Sequence, residues 1–385
     1  MVNEFYFKHK ISKTKIAIEM KVSRNFVTRW TQSEDQDFTI DNRGWEKGKA
    51  RKWEKEVKER IKDIRLYLEN DSFEFYYGAT AIQQEWRRRY PNEVSPPLRT
   101  IGKYLSDLGL AQKRKIKHKG AAKYLCYPEH TIYNQLGNRV AEIDFIGKKY
   151  IHGSSEPLNF IGFSFKKEPR LRYYKRIEGQ TTDSFITETD KFFGLFEKPD
   201  VIKLDNGLAF IGSASGKRNI SRSMNFLLEN NVIPVFAVPR KPFTQASIEG
   251  NNSVFSKKFW NRFDFESLEE IDNKLELFNQ SSQRYTGYKK PNETSLKRNF
   301  KPRIYFIRQV KEISKDKQKK AYINVLNVKI SMSKSLVNYY VLSEWDLTKE
   351  MLNIYFEKDE KQQLIKKIDF KINKRSKENW NVFQY

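Results

Sequence analysis

Three acidic residues stand where a carboxylate can act on a ligand. Asp144 lies in "RVAEIDFIG", whose alternation predicts a strand with Val140, Glu142 and Asp144 on one face. Asp205 ends the apolar stretch "DVIKLDN", and Glu249 stands early in the helical stretch "QASIEGNNSVFSKKFW". A mid-strand acid is costly unless its face opens on a cleft or a metal, and ligands usually bind at strand ends of α/β sheets. These acids are therefore the candidates for catalysis.

Carboxylates that converge repel one another unless divalent cations neutralise them. Two Mg²⁺ or Mn²⁺ ions, about 3.5 to 4 Å apart, can activate an attacking hydroxyl and stabilise the leaving oxygen of a phosphodiester. Such a site needs no histidine or cysteine, and the chain has four histidines and one cysteine. The single Cys126 excludes an intramolecular disulfide and a multi-cysteine zinc site. We expect no zinc.

The segment around these acids has the element order of an RNase H-like α/β domain. Residues 138–179 predict three strands in succession, and residues 181–238 predict helix, strand, helix and strand. Two further helices, Ala246 to Phe263 and Leu268 to Arg284, complete the domain. We expect this α/β core to cover residues 132–288.

The predicted helix places Glu249 at the border of its apolar face. At about 100° per residue, Ile248, Phe255, Phe259 and Phe263 fall on one side, and Glu249 lies next to that arc. Glu249 is therefore expected at the edge of the core, facing a cleft.

An acid in the first strand, Asp-Asn-Gly after the fourth, and a glutamate on the helix after "PRKPFTQ" together resemble the catalytic core of DDE transposases and retroviral-type integrases. The most specific stretches are "KLDNGLAF" and "ASIEGNNSVF", and the flanking segments resemble those of bacterial insertion-sequence transposases. The resemblance implies that Asp144, Asp205 and Glu249 are the catalytic residues and ligands of two Mg²⁺ or Mn²⁺ ions.

The reaction implied by the resemblance has two steps. Water cleaves the end of a mobile element to expose a 3′ hydroxyl, and that hydroxyl attacks target DNA. The resemblance also implies a homo-oligomer on paired DNA ends. Two alternatives stay open: a structure-specific nuclease of RNase H-like fold, and a catalytically silent, transposase-derived DNA-binding regulator.

Residues 1–33 predict a helix-turn-helix that binds DNA, with a structural helical hairpin as the alternative. Ser23 is placed to cap the second helix. The expected inward contacts are Ile16, Ala17, Val22, Phe26, Val27 and Trp30, and the side chains expected to face a major groove are Arg24, Asn25, Thr28 and Arg29.

Residues 50–111 predict a second helix-turn-helix of winged-helix type, closed by Gly109. Its expected inward residues are Ile82, Trp86, Leu98, Ile101, Leu105 and Leu108, and Arg99 is a candidate DNA contact. Residues 112–131 form a basic linker, read either as a strap along phosphates or as a solvated connection. Further candidate contacts are Lys113, Arg114, Lys115, Lys117, Lys257 and Lys258.

Residues 300–385 contain short stretches of period-2 alternation, which predict a small antiparallel β-barrel. The fold class expected for the whole chain is therefore multidomain: all-α helix-turn-helix domains, an RNase H-like α/β core, and a C-terminal barrel.

The charge of the chain indicates a polyanionic partner. Its 385 residues carry a formal charge of +25, of which residues 1–131 and 291–385 hold +20. Double-stranded DNA, both element ends and target, fits this excess, although a biased composition is the alternative. The sequence contains no apolar run near 18 residues, so we expect no membrane partner and a cytoplasmic protein, nucleoid-associated when bound to DNA.

Overall fold

The computed structural model describes residues 1–32, 53, 55–72, 74–111, 125–213, 215–290, 301–315 and 318–378. These residues divide into two compact units, Met1–Glu59 and Arg60–Tyr385. Among them, no helix has the length and apolar character needed to cross a bilayer. Most of the predicted basic linker falls outside the described residues, with its candidate contacts Lys113, Arg114, Lys115 and Lys117.

The first unit contains the predicted helix pair. A π-helical turn at Glu4–Lys8 precedes α1 (Lys13–Glu19) and α2 (Arg24–Trp30). The Ser23 hydroxyl accepts a hydrogen bond from the Phe26 amide at 3.1 Å, which confirms the predicted cap of α2. The two helices pack through a small apolar core that contains Ile16, Ala17 and Val27.

The prediction that Phe26 makes an inward contact in this unit is wrong. Phe26 is 41% exposed, and its ring lies 5.7 Å from that of Trp30, one turn later on α2. Its neighbour Val27 is fully buried instead, because neighbouring positions on a helix point about 100° apart. The predicted groove-facing side chains, Arg24, Asn25, Thr28 and Arg29, are all exposed.

A nine-stranded sheet forms the centre of the second unit, in the order β12-β11-β10-β6-β5-β4-β1-β2-β3. Its first five strands are β1 (Val140–Lys149), β2 (Leu158–Phe165), β3 (Leu171–Ile177), β4 (Val201–Leu204) and β5 (Ile233–Phe236). Strands β1, β2 and β3 pair antiparallel, whereas β4 and β5 run parallel to β1. This mixed order agrees with the α/β core predicted from the sequence.

The C-terminal strands extend this sheet instead of standing apart from it. The strand β6 (Arg303–Gln309) runs parallel to β5, and the sheet continues antiparallel through β10 (Tyr340–Asp346), β11 (Met351–Lys358) and β12 (Lys361–Asp369). A second antiparallel sheet contains β7 (Lys311–Lys315), β8 (Gln318–Val325) and β9 (Val328–Met332). The predicted domain boundary at residue 300 is therefore wrong, because β6 belongs to the central sheet. Closure of the C-terminal strands into a barrel stays a prediction.

Helices cover both faces of the core strands. On one side lie α6 (Thr182–Leu195), α7 (Leu208–Ile211) and α8 (Arg222–Glu229), which share a hydrophobic core with the faces of β1 and β2 that carry Ile143 and Phe163. On the other side lie α9 (Ala246–Lys258) and α10 (Leu268–Thr286), where Phe255 packs on Phe160 and Tyr174 with ring centroids about 5 Å apart. A short helix, α11 (Lys374–Glu378), follows the sheet.

The helix α9 is shorter than predicted. It ends at Lys258, a 3-10 turn follows at Trp260–Arg262, and Phe263 is extended with ψ 145°. The Phe263 ring nevertheless reaches the same aromatic cluster, 5.8 Å from Phe75, because the chain turns back towards it. The helical spacing of aromatic residues in the sequence therefore extends beyond the last residue of α9, and the helix predicted from it was too long.

The helical segment before the core consists of α3 (Lys55–Leu66), α4 (Ala79–Arg89) and α5 (Leu98–Asp107). Ile82, Trp86, Ile101 and Leu105 are buried as predicted, but Leu98, the first residue of α5, is 44% exposed. Within 55–72 and 74–111 the structure contains helices and turns only, so the described residues show no wing strands.

This helical segment is joined to the core by the residues ahead of α4. Phe75 is buried against Phe259 and Phe278, and its amide donates to the Ser281 hydroxyl on α10 at 3.2 Å. The Tyr76 hydroxyl donates to Ser282 at 3.2 Å. The expected boundary between a second DNA reader and the core is therefore bridged by buried contacts.

Candidate active site

Parallel pairing of β1 and β4 aligns the two candidate aspartates. Val140 lies opposite Val201, and Glu142 lies opposite Lys203. Extending this register by two residues places Asp144 opposite Asp205, the first residue after β4. Neighbouring strands lie about 4.8 Å apart, so both carboxylates project from adjacent strands at one edge of the sheet.

The helix α9 is fastened over this edge on both sides of Glu249. The Ile248 amide donates to Glu142 Oε2 at 2.9 Å, and Asn252 Nδ2 donates to Asp144 Oδ2 at 3.0 Å. Residues three apart share a helix face, so Glu249 lies one turn from the residue that contacts Asp144. These two hydrogen bonds hold the turn of α9 that carries Glu249 against β1.

The charges of the other two acids act on Asp144. Its pKa is raised to about 7, first by burial and then by the negative charges of Asp205 and Glu249, against hydrogen bonds from the Phe145 amide and Asn252. Burial also raises the pKa of Asp205, against a 2.7 Å bond from the Gly207 amide. The pKa of Glu249 is raised by burial and then by the charge of Glu142. Ionisation of Asp144 is therefore disfavoured both by its burial and by the neighbouring negative charges.

Half-buried carboxylates that oppose one another's charge are the donor type that hard divalent cations prefer. Among the described residues, however, no three Asp, Glu, His or Cys side chains are grouped tightly enough to enclose a metal ion. The oxygen donors fit Mg²⁺ chemically, and the set is open.

Asp144→Asn is expected to stabilise the metal-free protein. A folded-state pKa of about 7 against 3.8 makes ionisation of Asp144 unfavourable, so stability is lost as pH rises from about 4 to about 7. Removing that charge should raise the free energy of unfolding at pH 8 by roughly 2 to 4 kcal/mol, and by less at pH 5. Urea unfolding in EDTA at both pH values measures this gain.

The exposed Asp264→Asn is the matched control, expected within about 0.5 kcal/mol of wild type. A variant at Asp144 that is no more stable than wild type at pH 8 would contradict the electrostatic account.

Glu142, the other acid on the Asp144 face of β1, belongs to a buried network beneath the site. Glu142 and Lys203 are each 1% exposed, and Lys203 Nζ lies 3.3 Å from Glu142 Oε1. The Tyr133 hydroxyl donates to the same carboxylate at 2.6 Å, and Lys203 also donates to the Thr244 carbonyl. Thr244 and Ile248 flank the start of α9, so this ion pair fixes the entry of the helix that carries Glu249.

Sequence reasoning missed two side chains near the aspartates: Asn252, which donates to Asp144, and Asn206, which directly follows Asp205. Asn252 follows Glu249 by three residues, so helical periodicity alone could have identified it. Asn206 is fixed by donating to the Ala237 carbonyl at 2.7 Å and accepting from Arg308 Nη2 at 3.0 Å. Arg308 lies 102 residues further along the chain, and no local pattern indicates that contact.

The remaining candidate DNA contacts have different surroundings. Arg99 on α5 and Lys257 near the end of α9 are exposed. Lys258 is half-buried, and its Nζ lies 3.1 Å from the centroid of the Tyr77 ring. Burial lowers the pKa of Lys258. The ammonium group of Lys258 thus packs against Tyr77, and its contact with DNA stays a prediction.

No family model matches this chain, and no curated protein matches it in sequence. Solved structures do match. The catalytic core domain of BIV integrase is 15% identical, with 38% of this chain and 83% of that chain covered and a TM-score of 0.29. The HTLV-2 integrase catalytic core domain in complex with magnesium is 16% identical, with 37% and 84% covered and a TM-score of 0.25.

A third match is a chain in the cryo-EM structure of the simian T-cell lymphotropic virus intasome with PP2A regulatory subunit B56 gamma. It is 10% identical, covers 70% of this chain and 90% of that chain, and has a TM-score of 0.33. At these scores nothing about the chemistry of the present chain follows from the three.

Proposed function

We propose that this chain is a DNA transposase or integrase, which binds the ends of a mobile element and joins their 3′ hydroxyls to target DNA. The observation that carries the proposal is the parallel register of β1 and β4, which puts Asp144 and Asp205 on neighbouring strands, together with the Asn252–Asp144 hydrogen bond, which fastens α9 one turn after Glu249. The charges of Asp205 and Glu249 both raise the pKa of Asp144, which distinguishes that carboxylate from an isolated surface acid.

In this function Asp144, Asp205 and Glu249 hold two Mg²⁺ or Mn²⁺ ions. Bound ions would lower the pKa of an attacking hydroxyl and stabilise the leaving oxygen of the phosphodiester. Asn252 orients the Asp144 carboxylate through its 3.0 Å hydrogen bond. The buried Glu142 and Lys203 keep α9, and with it Glu249, in place over the strand ends.

Incubation of the full chain with end-labelled donor DNA, target DNA and Mg²⁺ tests the proposal. Joined donor–target product supports the transposase or integrase. Cleavage without joining indicates a nuclease of the same fold, and binding without either product indicates a DNA-binding regulator. EDTA should abolish both products while leaving binding intact.

The exposed face of α2 is proposed to read the element end. Selection from a randomised duplex pool should give wild type a preferred sequence, and Arg24→Ala/Arg29→Ala should weaken binding to it by about 10- to 100-fold, because a good base contact contributes about 1 to 3 kcal/mol. Lys8→Ala/Lys10→Ala removes the same charge from exposed positions of the same unit. If both double variants lose the preference equally, α2 is not the reader.

A further inference from the structure

A cavity lies at the carboxyl ends of β5 and β6, and every charged residue that lines it is cationic. Its volume is about 410 Å³, and its charged lining residues are Arg240, Lys241, Arg308, Lys311 and Lys329. In the described part of the chain no carboxylate lines it, and none of the five makes an ion pair. A concave site with one sign of charge concentrates counter-ions of the opposite sign.

Arg308 makes this cavity more than a cluster of surface lysines. Its side chain is almost fully buried, at 5% exposed, and burial lowers its pKa to about 9. It donates to neutral oxygens only: the carbonyls of Asn324, Ala237 and Ile307, and the Asn206 side chain, at 2.8 to 3.2 Å. A buried charge without a carboxylate is costly, and an anion in the adjoining cavity would offset that cost.

The cavity adjoins the same sheet edge as the catalytic acids. Because β4, β5 and β6 are parallel, their carboxyl ends meet at that edge, and the register places Asn206, Val238 and Arg308 in one row. Asn206 directly follows Asp205. Two strand spacings, about 10 Å, separate β4 from β6, which is about the axial rise of three nucleotides in a DNA duplex.

We propose that this cavity binds the phosphate backbone of a DNA strand a few nucleotides from the reacting phosphodiester, with Arg308 as its buried anchor. The proposal rests on the proposed function for the identity of the polyanion. Arg240, Lys241, Lys311 and Lys329 are exposed around the anchor and supply mobile charges to the flanking phosphates. The bond from Arg308 to Asn206 connects this phosphate site to the turn that carries Asp205.

The salt dependence of DNA binding tests the cavity. Full-length wild type, Lys241→Gln/Lys329→Gln and the matched control Lys361→Gln/Lys367→Gln each bind a labelled 30-base-pair duplex in EDTA at several NaCl concentrations. All four lysines are exposed, so folding should be unaffected. Loss of two phosphate contacts should reduce the slope of log Kd against log salt by about 2, so that between 50 and 200 mM NaCl the cavity variant loses about tenfold less affinity than wild type.

The control should keep the wild-type slope. Equal changes in both double variants, or no change in either, would overturn the proposal. A second arm adds 10 mM inorganic phosphate against NaCl of equal ionic strength. If the cavity binds a polynucleotide, added phosphate should change the Kd for DNA less than twofold. If added phosphate removes the difference in salt slope between wild type and the cavity variant, the cavity is a site for small anions, and the proposal is overturned. Because binding is measured in EDTA, which removes the metal, this result does not depend on whether the chain cleaves or joins DNA.

Discussion

Glu249→Gln is expected to reduce donor cleavage and strand joining by at least about 10³-fold, equivalent to roughly 4 kcal/mol of transition-state stabilisation. The amide keeps the shape of the side chain but removes the charge that a divalent cation requires at this position. Asn252 and Ile248, which fasten α9 on either side, are unchanged. DNA binding and thermal unfolding should therefore remain close to wild type.

A joining assay with labelled donor DNA in Mg²⁺, beside a binding assay in EDTA, measures both parts. Glu276→Gln is the matched control, because Glu276 is an exposed helical glutamate on α10. It should retain wild-type activity. Joining by the Glu249 variant at the rate of this control would mean that Glu249 is not a metal ligand.

Lys203→Met is expected to destabilise the protein by about 3 to 5 kcal/mol, because it leaves the Glu142 carboxylate buried without a cation. Two of the groups that hold Glu142, the Tyr133 hydroxyl and the Ile248 amide, remain, but neither carries a positive charge. Adding Glu142→Gln to this variant removes the uncompensated charge. The double variant should recover at least half of the lost stability.

Urea unfolding at pH 7 of both single variants and the double variant measures this coupling. Lys191→Met, from an ion pair in which the lysine side chain is 58% exposed, is the control and should cost less than about 1 kcal/mol. Additive effects of Lys203→Met and Glu142→Gln would contradict the buried pair, since independent sites add and coupled sites do not.

Local patterns in the sequence were sufficient to locate the core elements. The alternation of β1 and the ends of β4 and β5 follow from residue types over a few positions, and the structure has these strands within two or three residues of the prediction. The three acids were identified in the same way. The alignment of Asp144 with Asp205 depends on the parallel register of β1 and β4, which local patterns do not specify.

Contacts between distant segments account for what the sequence did not predict. Lys203, in the apolar strand β4, pairs with Glu142, 61 residues earlier, and no local pattern indicates that contact. The place of β6 in the central sheet had one local signal, the continuous apolar run from Ile304 to Ile307, which is typical of a strand buried on both faces. Phe26 shows a limit of local patterns as well, because helical spacing alone did not determine which side chain of α2 would face α1.

The central claim is that Asp144, Asp205 and Glu249 act together as one metal site. The most direct measurement is a Mn²⁺ titration followed by electron paramagnetic resonance, with the full chain bound to duplex DNA at pH 8. The account predicts that wild type binds Mn²⁺ and that Asp144→Asn, Asp205→Asn and Glu249→Gln each weaken binding by at least about tenfold, whereas Glu276→Gln does not. Wild-type Mn²⁺ affinity in any one of the three active-site variants would contradict it.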